Sequence, residues 1–151
     1  MNIFCCFHSF LFILLFFLQG KTTIVQSLLR HLDELHPGVK IGKILICYSL
    51  WQKKYDQIQN MLGDRVTFQI GLPSRETIME LTRDENLFSL IILDDLMWES
   101  SNSDIVRELF TSISHHRSCY TWLILQNIFI AGKEMRTITL SAQGLILTRL
   151  V

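Results

Sequence analysis

Gly20-Lys21-Thr22-Thr23 runs without a break into Ile24-Val25-Gln26-Ser27-Leu28-Leu29-Arg30. Gly-Lys-Thr at the opening of a helix is the downstream half of a phosphate-binding loop, whose full pattern is Gly, four residues, then Gly-Lys-Ser/Thr. The place of the first glycine is held by Leu15. Half of a strong motif is therefore joined to a stretch of different character, and the residues on either side decide what the half-motif means.

Upstream, residues 3–18 read IFCCFHSFLFILLFFL, apolar apart from His8 and Ser9. Four readings are open. As a transmembrane anchor the run would span roughly 24 Å at about 1.5 Å per residue, short of the ~30 Å hydrocarbon core of a bilayer. As a signal peptide it lacks a basic leader and a small-residue cleavage site before Gln19-Gly20. As a buried strand, Leu11–Phe17 has the length of the central strand that feeds a phosphate loop, but it leaves no loop before Gly20. As a translated intron it fits a pyrimidine-rich tract ending in CAG, which encodes Phe16-Phe17-Leu18-Gln19. The chain divides accordingly into a hydrophobic segment, 1–19, and a folded domain, 20–151.

Downstream, strands and helices alternate. Ile24, Leu28, Leu29, Leu32 and Leu35 recur at helical spacing until His36-Pro37-Gly38 stops them. Ile41–Tyr48 is β-branched and apolar, and Trp51–Leu62 reads as a helix stopped at Gly63-Asp64. Val66–Ile70 alternates as a short strand, and Ser74 caps a helix to about Leu81. Leu87–Leu93 is the most apolar strand of the domain, and Ser103 or Asp104 opens an amphipathic helix closed by His115-His116-Arg117. Tyr120–Leu125 and Gly144–Thr148 are further strands, with a loop and short helix over Ile128–Arg136 between them. Strands apolar on both faces, alternating with helices, predict an α/β fold with a mostly parallel sheet covered on both sides.

The composition agrees. With 49% apolar and 19% charged residues in 151, the chain can build one core and is not disordered. A net charge of zero gives no global basic footprint for nucleic acid. Cys5, Cys6, Cys47 and Cys119 form no CxxC pair, which predicts buried, reduced thiols in an intracellular protein.

The chemistry is carried by residues downstream of the half-motif. Leu90-Ile91-Ile92-Leu93-Asp94-Asp95 sets two acids at the carboxyl end of an apolar strand, where an open α/β sheet presents its ligand site. In a phosphate-loop NTPase the first acid, Asp94, orders Mg²⁺ together with the Thr22 hydroxyl. Lys21 then reaches the β- and γ-phosphates. Asp95 is placed to polarise the attacking water as general base. Gln126, ending the next strand, either touches the γ-phosphate or satisfies loop backbone. Arg136 and Arg149 are either charge sensors acting in trans or surface residues. His115 and His116 lack partners at zinc-site spacing and read as helix-end residues. Trp51, Trp98 and Trp122 read as packing residues rather than base platforms. Arg30, His31, Lys40, Lys53 and Lys54 either face DNA or form ordinary solvated surface.

LIILDDL, then LILQNIF, then AGKEMRTITLSAQGLILTR resemble the FtsK–HerA-type DNA-packaging ATPases, most closely those of large DNA viruses and Polinton (Maverick) transposons. The likeness runs from about Gly20 to Arg149, and the Gln-Asn followed by Gly-Lys-Glu-Met-Arg-Thr is its most specific part. The resemblance implies a three-layer αβα P-loop NTPase core, truncated at the N-terminal strand and loop and after the last core strand. It implies ATP and Mg²⁺ as cofactors, with Gly20, Lys21, Thr22 and Thr23 binding nucleotide and Thr22 and Asp94 holding the metal. Asp95, Gln126 and Arg136 would act in catalysis. It further implies ring self-association, double-stranded DNA and capsid proteins as partners, and a soluble intracellular protein, nuclear or in virus-like particles. Membrane attachment enters only if residues 3–18 are an anchor. A non-enzymatic interaction domain and another P-loop branch, such as an AAA-type ATPase, are the alternatives.

The missing glycine has a calculable cost. Loop N–H groups form a nest around the β-phosphate, and hydrogen bonds to charged groups contribute about 1.5–3 kcal/mol each. Losing two or three costs roughly 3–9 kcal/mol, on the order of 10²–10⁶ in affinity, so the chain is expected to bind ATP poorly or not at all.

Overall fold

The computed structural model describes residues 11–16, 21–125, 134–142 and 144–148. In chain order the elements are β1 (Leu11–Phe16), α1 (Lys21–Arg30), α2 (Leu32–Leu35), β2 (Ile41–Tyr48) and α3 (Lys53–Leu62), then β3 (Val66–Ile70), α4 (Arg75–Leu81) and β4 (Phe88–Asp94). Next come α5 (Met97–Ser101), α6 (Asp104–Glu108), α7 (Ser114–His116), β5 (Cys119–Leu125), α8 (Met135–Ser141) and β6 (Gly144–Thr148). The strands form one sheet in the order β3-β2-β4-β5-β1-β6, and every pairing in it is parallel.

Side chains on a strand alternate between faces, and the two halves of the core obey that rule. Ile44, Ile46, Leu90, Ile92, Trp122 and Ile124 pack with Val25 and Leu29 of α1 and with Tyr55 and Ile58 of α3. Leu45, Cys47, Ile91, Leu93 and Leu123 pack with Ile78 of α4, Val106 of α6 and Ile138 of α8. Helices thus cover both faces of a parallel sheet, as expected of a three-layer αβα core. Fully burying an Ile or Leu side chain is worth about 1.5–3 kcal/mol, so β4, buried on both faces from Ser89 to Asp94, is the axis of the domain.

Of the readings of the greasy N-terminal run, the structure adopts the strand. Leu11–Phe16 pairs with β5 on one side and β6 on the other. This hydrophobic segment thus supplies a strand of the sheet, between β5 and β6, described over Leu11–Phe16; the stretch from 17 to 20, where the sequence leaves no room for a loop before Gly20, lies outside the described residues.

Local signals explain most boundaries. Ser74 accepts a hydrogen bond from the Thr77 N–H at 3.1 Å and opens α4; Ser103 accepts from Val106 N–H at 3.4 Å and opens α6. The helix expected to run unbroken to Leu35 divides at His31, whose φ of −107° and ψ of 25° leave the helical range. The amphipathic helix after Ser103 passes through a π-helical stretch at Leu109–Ile113. There the Thr111 and Ser112 hydroxyls donate to the carbonyls of Arg107 and Glu108, competing with the backbone ladder. A bulge interrupts the β2–β4 register between Ile41 and Lys43. Gly42 lies there, and a Cβ on it would sit 2.8 Å from Leu87 Cδ1.

Candidate functional site at the carboxyl ends of the central strands

The register sets a row of residues across the sheet. Asp94 stands opposite Tyr48 on β2 and Ile124 on β5, and Ile124 stands opposite Leu14 on β1. One strand, β5, separates the acidic strand from the strand that leads into α1. At about 4.8 Å per strand, the Asp94 backbone and the end of β1 are roughly 10 Å apart.

Asp94 continues the Leu90–Ile92 side of β4 and so turns toward α1 and α3. It is only 1% exposed, and its Oδ2 accepts a hydrogen bond from the Tyr55 hydroxyl at 2.8 Å. Burial, followed by the negative charge of Asp94 and that hydrogen bond, holds the Tyr55 phenol far above its ordinary range, so Tyr55 is a fixed donor. Tyr55 is itself wedged by Tyr48, Trp51 and Phe68, with ring centroids 5.3 to 5.5 Å away. Asp95 is half-buried and has a φ of 59°, the one positive φ outside glycine among the described residues. Chains store such backbone strain at ligand-binding turns.

Lys21, Thr22 and Thr23 form the first turn of α1. The side chains of Lys21 and Thr22, and the whole of Gly20, lie outside the described residues. Thr23 is exposed, and its hydroxyl accepts a hydrogen bond from the Lys54 ammonium on α3. No acidic residue stands in the first turn of α1. The positive end of its dipole thus carries an added cation and no counter-charge of its own, the electrostatics that an anion would relieve.

Asp94 and Asp95 at a strand end supply the hard oxygen donors that suit Mg²⁺, which is ordinarily held by one or two carboxylates together with substrate phosphates. Among the described residues no cluster of three His, Cys, Asp or Glu side chains stands ready for a metal. Two carboxylates fit a cation that shares its coordination with a phosphate.

Gln126 and Arg149 lie outside the described residues. Arg136 is exposed on α8, in the helical layer on the opposite side of the sheet from the Asp94 side chain, so a catalytic contact from it would be to another subunit. The residue two before it, Glu134, is buried. It pairs with Arg107 Nε at 3.0 Å and donates its backbone N–H to the Ser101 carbonyl at 3.1 Å. These contacts tie the start of α8 to α6 and to the end of α5. Trp122 is core, as expected, and Trp51 is half-exposed at the carboxyl edge beside Leu50 and Ile70.

Tyr55, the contact of Lys54 with Thr23 and the Arg107–Glu134 pair escape sequence reasoning. A buried tyrosine hydroxyl needs a partner, and Tyr55 shares the buried face of α3 with Ile58. Helical period shows that the ring is inward, but only the fold supplies Asp94 as the acceptor.

The fold and site define an open α/β protein with a candidate ligand site at the carboxyl ends of its central parallel strands. Compared with protein-family models, curated proteins and solved structures, the chain gives no significant match. Among the described residues, no helix is long and apolar enough to cross a membrane.

Proposed function

We propose that the chain is the ATPase core of a DNA-translocating motor of the FtsK–HerA packaging type, with nucleotide affinity lowered by an incomplete phosphate loop. The observation that carries the reading is Asp94-Asp95 at the end of a strand buried from Ser89 to Asp94, one strand removed from the strand that precedes the Lys21-Thr22 helix. In this reading Lys21 binds the β- and γ-phosphates. Thr22 and Asp94 hold Mg²⁺, which neutralises charge on the phosphate oxygens when bound. Asp95 accepts the proton of the attacking water, and Gln126 orients that water. Arg136 reaches the site of the next subunit in a ring, and double-stranded DNA and capsid proteins are the partners. Leu15 in place of glycine favours a second reading, a non-enzymatic interaction domain that keeps the fold alone.

One comparison separates the two. Nucleotide binding is measured by thermal shift against Mg²⁺-ATP for the full chain, for a loop-restored variant in which Gly and four further residues replace Phe17-Leu18-Gln19 ahead of Gly20, leaving the paired Leu15 of β1 in place, and for that variant combined with Lys21→Ala, with folding checked by circular dichroism. The wild-type chain is expected to bind more weakly than about 0.1 mM, a micromolar site reduced by the missing loop contacts. The loop-restored variant is expected to tighten binding at least tenfold, and Lys21→Ala to abolish the gain. Folded loop-restored protein that shows no Lys21-dependent binding sinks the ATPase reading. Micromolar binding by the wild-type chain sinks the account of the loop.

A further inference from the structure

The proposed chemistry gives Tyr55 no part, yet its hydroxyl is the buried donor on Asp94, at 2.8 Å. Both partners are 1% exposed. A carboxylate of a metal site that turns freely must be ordered each time the cation arrives. One that is hydrogen-bonded from behind presents its other oxygen in a fixed direction. Tyr55 meets the requirements for such a support. It sits in the first turn of α3, one turn before Ile58, which is fully buried. Its ring is held by Tyr48, Trp51 and Phe68, and on the other side of α3 Lys54 reaches the first turn of α1. One turn of α3 therefore touches both the acid at the end of β4 and the helix that carries Lys21 and Thr22.

We infer that Tyr55 is a positioning residue for the metal-binding carboxylate. Its hydroxyl fixes Asp94 Oδ2, and so holds the carboxylate in one orientation toward the cation that accompanies a nucleoside triphosphate. This rests on the reading of the site as a nucleotide site. No covalent or redox step is involved, and Tyr55 touches neither nucleotide nor metal.

The test uses the full chain, and in parallel the loop-restored variant, each with and without Tyr55→Phe. ATP binding is measured by thermal shift, first with EDTA and then as Mg²⁺ is titrated at fixed ATP. Losing such a support for a metal ligand lowers metal affinity about 10–100-fold. Tyr55→Phe is therefore expected to raise the half-saturating Mg²⁺ concentration at least tenfold while metal-free ATP affinity stays unchanged. A packing role would lower both equally or neither. A second measurement guards against a variant that merely loosens the fold: unfolding midpoints of Tyr55→Phe, Asp94→Asn and the double variant. Tyr55 and Asp94 are expected to be non-additive there. Additive midpoints, or an unchanged Mg²⁺ requirement in a chain that binds ATP, overturn the positioning role alone. Absence of ATP binding from both the wild-type and the loop-restored chain overturns the nucleotide reading and this role with it.

Discussion

Replacing Asp95 by glycine and, separately, by alanine reads the strain at the end of β4. Asp95 has a φ of 59°, and a residue with a Cβ pays roughly 1–2 kcal/mol there. Aspartate sits at the low end because its short polar side chain bonds locally. Alanine keeps the Cβ and loses that bond. Glycine removes the penalty but adds freedom to the unfolded chain, a loss of about 0.5–1 kcal/mol. The difference makes Asp95→Gly more stable than Asp95→Ala by about 0.5–1 kcal/mol. At an ordinary negative φ the order is reversed, with alanine ahead by about 0.4–1 kcal/mol, so the sign alone is informative. Urea unfolding with m near 2 kcal/mol/M turns the expected gap into a midpoint difference of roughly 0.25–0.5 M. An alanine variant as stable as the glycine variant, at equal m, refutes the strained conformation and with it the view that the fold holds Asp95 at a cost for a functional reason.

The His36 ring is buried and stacked on Tyr120 at 4.4 Å, and burial pushes its pKa down from 6.5 to about 4. Between those values the unfolded chain binds more protons than the folded one. Stability therefore falls as pH drops from 6.5 toward 4, by up to about 3 kcal/mol. His36→Phe should remove that part of the slope in unfolding midpoints at neutral and mildly acid pH, and equal slopes in the two proteins would contradict the assignment. Glu134→Ala leaves Arg107 without its buried partner. Because the Arg107 side chain is 40% exposed and also meets Asp104, the loss should be about 1–2 kcal/mol rather than that of a fully buried pair, read from the same unfolding curves. Burial pushes the Cys47 and Cys119 thiols up to about 12, so in a chain with Cys5 and Cys6 replaced by serine, a thiol reagent should react only on unfolding. Fast labelling of the native protein would show that the core opens.

The sheet was legible in the chain because its strands are written as short apolar or alternating runs bounded by turn residues. Ile41–Tyr48, Val66–Ile70 and Gly144–Thr148 match the observed strands to the residue. The serine caps of α4 and α6 were equally local, since a hydroxyl at a helix start bonds an N–H only a turn away. Boundaries set by competition were not. The division of the first helix at His31 and the π-helical stretch at Leu109–Ile113 depend on side chains that bond carbonyls within the same helix, where period alone sees an unbroken stripe.

The half-motif Gly20-Lys21-Thr22-Thr23 and the pair Asp94-Asp95 could be placed at strand and helix ends from sequence because each lies next to a boundary that hydrophobic pattern defines. The sequence by itself also determined that Leu15 stands where a loop glycine belongs, and that the apolar run before it has the length of a strand. Only the tertiary structure decided where that run goes. It lies between β5 and β6, which puts one strand between the acids and the helix that carries Lys21. Only the tertiary structure joined Tyr55 to Asp94 across 39 positions of chain. A pattern of hydrophobicity says which face of an element is buried, but which polar groups meet there is fixed by how the layers stack.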